Sequence, residues 1–190
     1  MGRRVIGLTG GVGMGKSTVS NYLAAYLPVL DADLYAREAV ALDSPILAKI
    51  ADRYGDSLLL SDGNLDRRHL GEIIFGNAAE KQWLEQQIHP YVRDRIMTEL
   101  QNLAKAVVVI PLLFEAQMTD LVTEIWVVRS DLAQQQQRIM ERDRLTLEQA
   151  QARIDSQMAI EQKVAQADVV LDNSTTLENL YQQIDRALHL

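Results

Sequence analysis

A glycine-rich segment near the start of the chain carries the clearest chemical signal. It fits the pattern G-x-x-x-x-G-K-[ST] at every fixed position and reads Gly10-Gly11-Val12-Gly13-Met14-Gly15-Lys16-Ser17. Glycines let such a loop turn its backbone N–H groups toward phosphate oxygens, and the N-terminus of a following helix adds further donors. Lys16 would reach the β- and γ-phosphates, and the Ser17 hydroxyl would be a ligand of Mg²⁺. The pattern therefore predicts that the chain binds a nucleoside triphosphate together with Mg²⁺.

The loop pattern leaves several classes of nucleotide-binding protein open. A glycine-rich turn with a chance Lys-Ser pair is the structural alternative, but a short apolar strand precedes the loop and a helical pattern follows it. ATPases, GTPases and small-molecule kinases share the pattern. The chain has no Asn-Lys-x-Asp segment for guanine recognition, and its 190 residues are few for a motor or transport ATPase. These features favour a small kinase.

Two carboxylates follow the second predicted strand, at the edge where open α/β sheets bind ligands. Either Asp31 or Asp33 could accept the proton of an attacking hydroxyl and help to order Mg²⁺. A turn or helix N-cap explains Asp31 equally well, whereas the preceding phosphate loop favours a functional role for Asp33. Arg37 would share a helix face with Asp33, either to bind substrate or to form a plain salt bridge.

The third predicted strand leads into the apolar segment Pro111-Leu112-Leu113-Phe114-Glu115. At the ligand-binding edge of a sheet, such residues could form a wall for an organic acceptor or could simply cover the core. Glu115 could contact the acceptor or the water shell of Mg²⁺, and a helix cap explains it as economically. His89, which precedes Pro90, is either a structural turn residue or a substrate contact.

A polar segment, residues 131–166, carries arginines that could act on ATP. Arg138 and Arg142 are four residues apart on a presumed helix. On a mobile segment they could close over ATP, offset the charge that develops during transfer and exclude water. The alternative, which the arginines taken alone favour, is a solvated helix with ion pairs to Glu141 and Asp143.

Five short apolar runs predict strands, and helical patterns separate them. The runs are Val5–Thr9, Val29–Asp31, Val107–Ile110, Ile125–Val128 and Val169–Leu171. Uninterrupted apolar strands are typical of a parallel sheet that is covered on both faces. We therefore expect an α/β fold with a mostly parallel five-stranded sheet. Residues 34–105 are too many for a simple crossover and are expected to form an inserted helical subdomain.

Prolines predict two helix boundaries. Val19, Leu23 and Leu27 would share one face of a first helix, which Pro28 would end. The pair His89-Pro90 would interrupt the chain before a separate helix over residues 91–104.

Cap residues and composition give further local predictions. Helix N-terminal caps are expected at Ser44-Pro45, at Asn77 with Glu80 and at Thr146 with Gln149. The glutamines at positions 134–137 are interpreted as a solvated helix face.

The composition is that of an ordinary globular protein, with 47% hydrophobic and 24% charged residues. A formal net charge of -7 argues against a sequence-independent grip on nucleic acid, and no apolar run approaches the roughly 18 residues of a membrane span. The absence of cysteine excludes disulfides and cysteine-ligated metals. With no signal peptide in evidence, we expect a single-domain cytoplasmic protein, without membrane partners, that is a monomer or a weak homo-oligomer.

In chain order, these motifs together resemble those of the dephospho-CoA kinase family. The resemblance covers nearly the whole chain and is carried by Leu8-Thr9-Gly10-Gly11-Val12-Gly13, Gly15-Lys16-Ser17-Thr18-Val19, Asp31-Ala32-Asp33 with Arg37, Asp62-Gly63-x-Leu65-Asp66-Arg67, Ile88-His89-Pro90, Pro111-Leu112-Leu113-Phe114-Glu115, residues 138–143, Gln157 and residues 167–173. The phosphate loop alone is generic. The doubled glycine, the Asp-Ala-Asp and the Pro-Leu-Leu-Phe-Glu are specific in combination.

The resemblance implies ATP-dependent phosphorylation of the ribose 3′-hydroxyl of dephospho-CoA, giving CoA and ADP. It also implies a nucleotide-binding core of residues 1–33, 106–130 and 167–190, a helical CoA-binding insertion of residues 34–105 and a lid of residues 131–166. In this family's pattern Asp33 would be the base, Lys16 and Ser17 would hold the phosphates and Mg²⁺, and Arg142 would be the lid arginine.

The resemblance further implies two sets of ligand contacts. ATP would contact Gly11, Val12, Gly13, Met14, Gly15, Lys16, Ser17, Thr18, Arg138, Arg142 and Asn173, the last beside the adenine. The acceptor would contact Asp33, Arg37, His89, Leu113 and Glu115.

Two positions depart from the family's pattern. Met14 replaces the small residue that is common before the last loop glycine, but this position contributes backbone, so we expect no loss. Ser174-Thr175 follows Asn173 where the family usually has a glycine close by.

Two other functions compete with this interpretation. One is a kinase of another nucleoside or small alcohol, against which the motifs at 62–67 and 111–115 argue. The other is a nucleotide-dependent binding switch, which would need no base for an acceptor hydroxyl.

Overall fold

Apolar runs form the five strands of a parallel sheet in the computed structural model, which describes residues 3–74 and 76–189. The strands are β1 (Arg4–Gly10), β2 (Val29–Asp31), β3 (Lys105–Val109), β4 (Glu124–Arg129) and β5 (Val169–Asp172). Their order is β2-β3-β1-β4-β5, and the neighbouring strands pair in parallel. The predicted α/β fold and its five strands are confirmed.

Helices separate most of the strands along the chain. They are α1 (Lys16–Leu23), α2 (Ala32–Ala39), α3 (Pro45–Tyr54), α4 (Arg67–Ile74), α5 (Ala78–Leu100), α6 (Leu132–Asp143), α7 (Leu147–Asp155), α8 (Ile160–Val164) and α9 (Leu177–Leu188). None of these helices is both long and apolar enough to cross a membrane.

The chain divides into two compact units. The core unit comprises the residues up to Asp31 and from Glu99 onward, and the helical unit is Ala32–Thr98. The core unit contains the whole sheet with α1 and α6–α9, whereas α2–α4 and most of α5 belong to the helical unit. The assignments of residues 34–105 to CoA binding and of residues 131–166 to a lid remain predictions.

The core unit is stabilised by the apolar side chains of the central strands. Val19 and Leu23 of α1 and Leu180 and Ile184 of α9 pack into one buried cluster with side chains of all five strands. Burying a side chain of this size contributes about 1.5–3 kcal/mol relative to exposure, so this cluster fixes the strand ends that carry the loops. β1 lies between β3 and β4, and the loop that follows β1 therefore starts at the centre of the sheet.

The helical unit has a leucine-rich core of its own. Leu47 and Ile50 of α3 pack with Leu70 of α4 and Leu84 of α5. At its surface, Glu80 accepts two hydrogen bonds from the Arg53 guanidinium at 2.8 and 2.9 Å, and a third from the Tyr54 hydroxyl. This carboxylate joins the start of α5 to the end of α3.

The predicted caps are observed, with one difference. Ser44 accepts a hydrogen bond from the Leu47 N–H, and Thr146 forms a reciprocal capping box with Gln149. Asn77 accepts from the Glu80 N–H at 3.2 Å, but the Glu80 side chain binds Arg53. The Asn77 cap is therefore one-sided because a stronger, charged partner takes the carboxylate.

Both proline-based helix boundaries are wrong in detail. The first helix ends at Leu23, and turns rather than helix carry the chain to Pro28. Helix α5 continues through Pro90, where we expected a break. Leu84 precedes the proline and Ile96 follows it, and both are buried, whereas Pro90 itself is exposed. Packing on both sides therefore outweighs the missing N–H of the proline.

The carboxylate of Glu80 makes stability depend on pH. Hydrogen bonds from Arg53 and Tyr54 lower the pKa of Glu80 to about 2 from its ordinary 4.5. Its contribution is fully present above pH 4.5 and is lost as the pH falls from 4.5 toward about 2. We expect Glu80→Gln to flatten the fall of the unfolding free energy in this window, measured by urea titration at several pH values. Asp52→Asn, on the exposed side of α3, is the control, and identical slopes for the wild type and Glu80→Gln would contradict the assignment.

Candidate phosphate-binding site

The phosphate loop joins β1 to α1 and depends on backbone conformations that favour glycine. Gly13 and Gly15 have φ values of 74° and 98°, in the left-handed region. A Cβ at Gly15 would collide with the side-chain nitrogen of Asn173. Gly15 is also the N-cap of α1, and no side chain caps this helix. The first turn of α1 thus presents its N-terminal amides to an anion.

Lys16 brings a positive charge to the loop. Its Nζ donates to the carbonyl oxygens of Gly10 and Gly11, each at 2.9 Å. Ser17 is exposed at the next position, and Thr18 donates its N–H to the Gly15 carbonyl. The arrangement combines a cation, a hydroxyl and a helix N-terminus, which are the groups that hold a nucleotide's phosphates.

Three amide side chains hold the backbone of the loop. Gln135 Nε2 donates to the Val12 carbonyl at 2.8 Å, and Gln157 Oε1 accepts from the Val12 N–H at 2.9 Å. Asn173 Nδ2 donates to the Met14 carbonyl at 2.9 Å. Val12 is therefore held at both its N–H and its carbonyl, by residues that are distant in sequence.

The interpretation of the glutamine tract is wrong for Gln135. This side chain is only 2% exposed and lies on the face of α6 that also buries Ile139, one helical turn later. The spacing of Gln135 and Ile139 was a usable signal, because residues at i and i+4 share a helix face. A buried polar side chain requires a partner, and the Val12 carbonyl supplies it.

The Asn173 side chain is hydrogen-bonded to the phosphate loop. It is 5% exposed, and its backbone carbonyl accepts from Arg138 Nη2 at 3.3 Å. Its predicted place beside the adenine remains a prediction. Met14, where the chain departs from the family's pattern, is buried and offers its carbonyl to Asn173, so this position contributes backbone as expected.

The two candidate arginines of α6 differ in their surroundings. Arg138 lies against Asn173, and its Nη1 is buried without a hydrogen-bond partner among the described residues. Arg142 is 58% exposed and forms a two-point ion pair with Asp143, at 2.8 and 2.9 Å. Asp143 also binds Arg153. The structure thus brings Arg138 to the loop's supporting residues and Arg142 into a surface ion-pair network.

The segment that follows β3 is fixed by a buried lysine that the sequence analysis missed. Lys163 is 0% exposed, and its Nζ lies 2.8 Å from Glu115 Oε1 and 3.2 Å from the Pro111 carbonyl. Burial raises the pKa of the Glu115 carboxyl, but the Lys163 ammonium and backbone N–H groups, including that of Met158, together outweigh this effect, and the pKa lies below its ordinary value. No local pattern marks Lys163, because its partner comes from another part of the chain.

The apolar segment itself needs a correction. Leu113 is wholly buried and Phe114 nearly so, because both side chains point into the core and away from solvent. Leu113 therefore supports the segment from within and does not form the surface of a wall. Glu115, whose carboxylate is partly exposed, is the charged member of the segment that can meet a ligand, and Pro111 and Leu112 are partly exposed beside it.

The remaining predicted acceptor residues belong to the helical unit. Asp33 lies in the first turn of α2, and Arg37 follows one turn later; both are exposed. The Arg37 carbonyl accepts a hydrogen bond from Arg67 at 3.3 Å. His89 is half-buried within α5. Their contacts with substrate remain predictions.

The chain offers few ligands of its own to a metal ion. Across residues 3–74 and 76–189, no three or more His, Asp or Glu side chains are grouped to bind one. Ser17 is exposed beside the loop. This fits Mg²⁺ carried by nucleotide phosphates, since Mg²⁺ keeps waters and commonly takes one or two protein ligands.

Asn173→Asp would test the support beneath the loop. The exchange replaces the Asn173 amide nitrogen, which donates to the Met14 carbonyl, by a carboxylate oxygen. Two oxygens that can only accept then face each other. We expect Mg-ATP affinity to fall by about tenfold or more, as for an unsatisfied buried carbonyl, measured by calorimetry. Asn179→Asp, at an exposed position of α9, is the matched control. Equal Mg-ATP affinity in the Asn173→Asp and wild-type proteins would contradict the role.

Comparison with known proteins assigns the chain to a family. A family model described as dephospho-CoA kinase (CoaE) matches residues 4–179. A dephospho-CoA kinase of Trichormus variabilis is 60% identical, with 100% of this chain and 98% of that protein covered. Among solved structures, TT1252 from Thermus thermophilus matches with a TM-score of 0.84 at 32% identity, over 100% of this chain and 98% of the other. Dephospho-CoA kinase from Campylobacter jejuni matches with a TM-score of 0.71 at 31% identity, over 97% and 95%. The chain belongs to the dephospho-CoA kinase family.

Proposed function

We propose that this chain transfers the γ-phosphoryl group of ATP to the ribose 3′-hydroxyl of dephospho-CoA, giving CoA and ADP. The observation that carries the proposal is the phosphate loop, with Lys16 near its end and no side chain capping the N-terminus of α1, which follows it. Membership of the family supports the choice of acceptor.

In the core unit, Lys16 neutralises charge on the β- and γ-phosphates, and the loop amides orient them. Ser17 would hold Mg²⁺, which when bound shields phosphate charge and aligns the γ-phosphoryl group. Arg138 is the arginine best supported for nucleotide binding, because its buried Nη1 has no partner among the described residues and Asn173 lies against it. Arg142 would have to exchange its pairing with Asp143 for the nucleotide.

For the acceptor, we assign Asp33 as the base that takes the proton of the 3′-hydroxyl. Arg37, His89 and Glu115 are the proposed acceptor contacts, with Leu113 supporting Glu115 from within the core. Residues 34–105 would bind the CoA portion, and residues 131–166 would act as a lid. A cytoplasmic location and a monomeric or weakly homo-oligomeric state belong to the same proposal.

An acceptor-dependence assay tests the function. ADP release from Mg-ATP is followed with 3′-dephospho-CoA, AMP, CMP or UMP, and with no acceptor. We expect ADP release only in the reaction that contains dephospho-CoA, because the proposed base acts on a bound hydroxyl. ADP release that is equal without acceptor would indicate an ATPase or a binding switch. ADP release only in a reaction that contains a mononucleotide would indicate a kinase of another nucleoside.

Asp33→Asn separates catalysis from nucleotide binding. Loss of the base should lower kcat by about 10²–10⁴-fold and leave the Kd for Mg-ATP unchanged, measured by steady-state kinetics and calorimetry. Asp52→Asn, exposed on α3 of the same unit, is the control. Full turnover in Asp33→Asn would contradict the assignment of the base.

Lys16→Ala should instead weaken Mg-ATP binding by about tenfold or more, because a charged hydrogen bond to phosphate is lost.

A further inference from the structure

Residues 157–163, here called the bridge segment, contact two separate loops of the core unit. The segment runs from the end of α7 into α8. Gln157 accepts from the Val12 N–H in the phosphate loop. One residue later, the Met158 N–H donates to Glu115 at 3.1 Å, in the segment that follows β3.

At the phosphate loop, the bridge segment fixes a peptide group whose orientation matters for anion binding. A loop that binds phosphate must keep its N–H groups turned to the ligand, and each peptide plane sets the next one. Gln157 holds the Val12 N–H while Gln135 holds the Val12 carbonyl. Gly13, which can rotate most readily, follows directly.

At the other loop, the bridge segment supplies a wholly buried charge. Lys163 binds both Glu115 and the Pro111 carbonyl, and the Thr9 hydroxyl donates to the same carbonyl at 3.1 Å. Removing one partner of such a pair leaves an uncompensated charge, so the segment that follows β3 cannot separate from the bridge segment at low cost.

We propose that Gln157 and Lys163 are positioning residues, which make the bridge segment a tie between the phosphate loop and the segment that follows β3. Each residue is assigned a role through the loop that its side chain holds. Through this tie, nucleotide affinity depends on Lys163, although the Lys163 ammonium binds the segment that follows β3 and not the phosphate loop. The interpretation of the two loops as nucleotide and acceptor sides rests on the proposed function.

A double-mutant cycle on nucleotide binding tests the tie. Gln157→Leu, Lys163→Met and the double variant are compared by calorimetry with Mg-ADP. Gln157 lines a cavity of about 400 Å³, so leucine can be accommodated there. We expect each single variant to weaken binding, Gln157→Leu by about tenfold. The Lys163→Met effect should shrink in the Gln157→Leu background, because the connection is already lost. Equal Lys163→Met effects in both backgrounds would overturn the tie.

Amide exchange distinguishes a local tie from general destabilisation. In Gln157→Leu, the Val12 amide should exchange faster with deuterium, while amides of β3 keep their protection. Gln166→Leu is the matched control, since Gln166 is exposed in the turn that follows α8 and its side-chain amide donates to the nearby Gln162 carbonyl. Unchanged Val12 exchange in Gln157→Leu would overturn the proposal.

The experiment remains informative if one variant does not fold or if the proposed function is wrong. Lys163→Gln, which retains a donor for Pro111 and Glu115, replaces Lys163→Met in the cycle if the methionine variant does not fold. Binding and exchange are measured without turnover. A chain that failed to phosphorylate dephospho-CoA would therefore lose the proposed function and could still show the coupled binding.

Discussion

A phosphate loop must leave those backbone N–H groups that face the anion without other partners, so only its remaining backbone atoms can pair with the rest of the fold. In this chain the support comes from side-chain amides instead. Gln135 and Gln157 hold Val12. Asn173 holds the Met14 carbonyl and lies against Gly15. Because each amide can donate and accept, it can match whichever backbone atom faces it without adding charge beside the phosphates.

The sheet explains why these supports come from distant parts of the chain. β1 is the central strand, so its loop is flanked by the segments that follow β3 on one side and β4 on the other. Gln135 and Gln157 belong to the region after β4, and Asn173 directly follows β5. The net charge of the whole chain is -7, so its nucleotide chemistry depends on a few placed cations rather than on a basic surface.

The sequence predicted those features whose causes are local. Apolar β-branched runs identified all five strands, and the spacing of Gly10, Gly15 and Lys16 identified the loop. The break at Pro90 was wrong, since tertiary packing outweighed a local preference. Lys163 was missed, and the sequence left open whether Leu113 forms a wall or covers the core, because burial depends on which distant segments meet. Pairings such as Lys163 with Glu115 cannot be derived from one sequence by periodicity.

The most direct test of the account is the position of the transferred phosphate. Dephospho-CoA has both a 2′- and a 3′-hydroxyl on the ribose that would be modified. Phosphorus and proton correlation NMR of the product, after reaction with Mg-ATP, distinguishes them. We expect one new phosphomonoester, coupled to the 3′ proton, in an amount equal to the ADP formed. A phosphate at the 2′ position, or ADP accompanied only by inorganic phosphate, would contradict it.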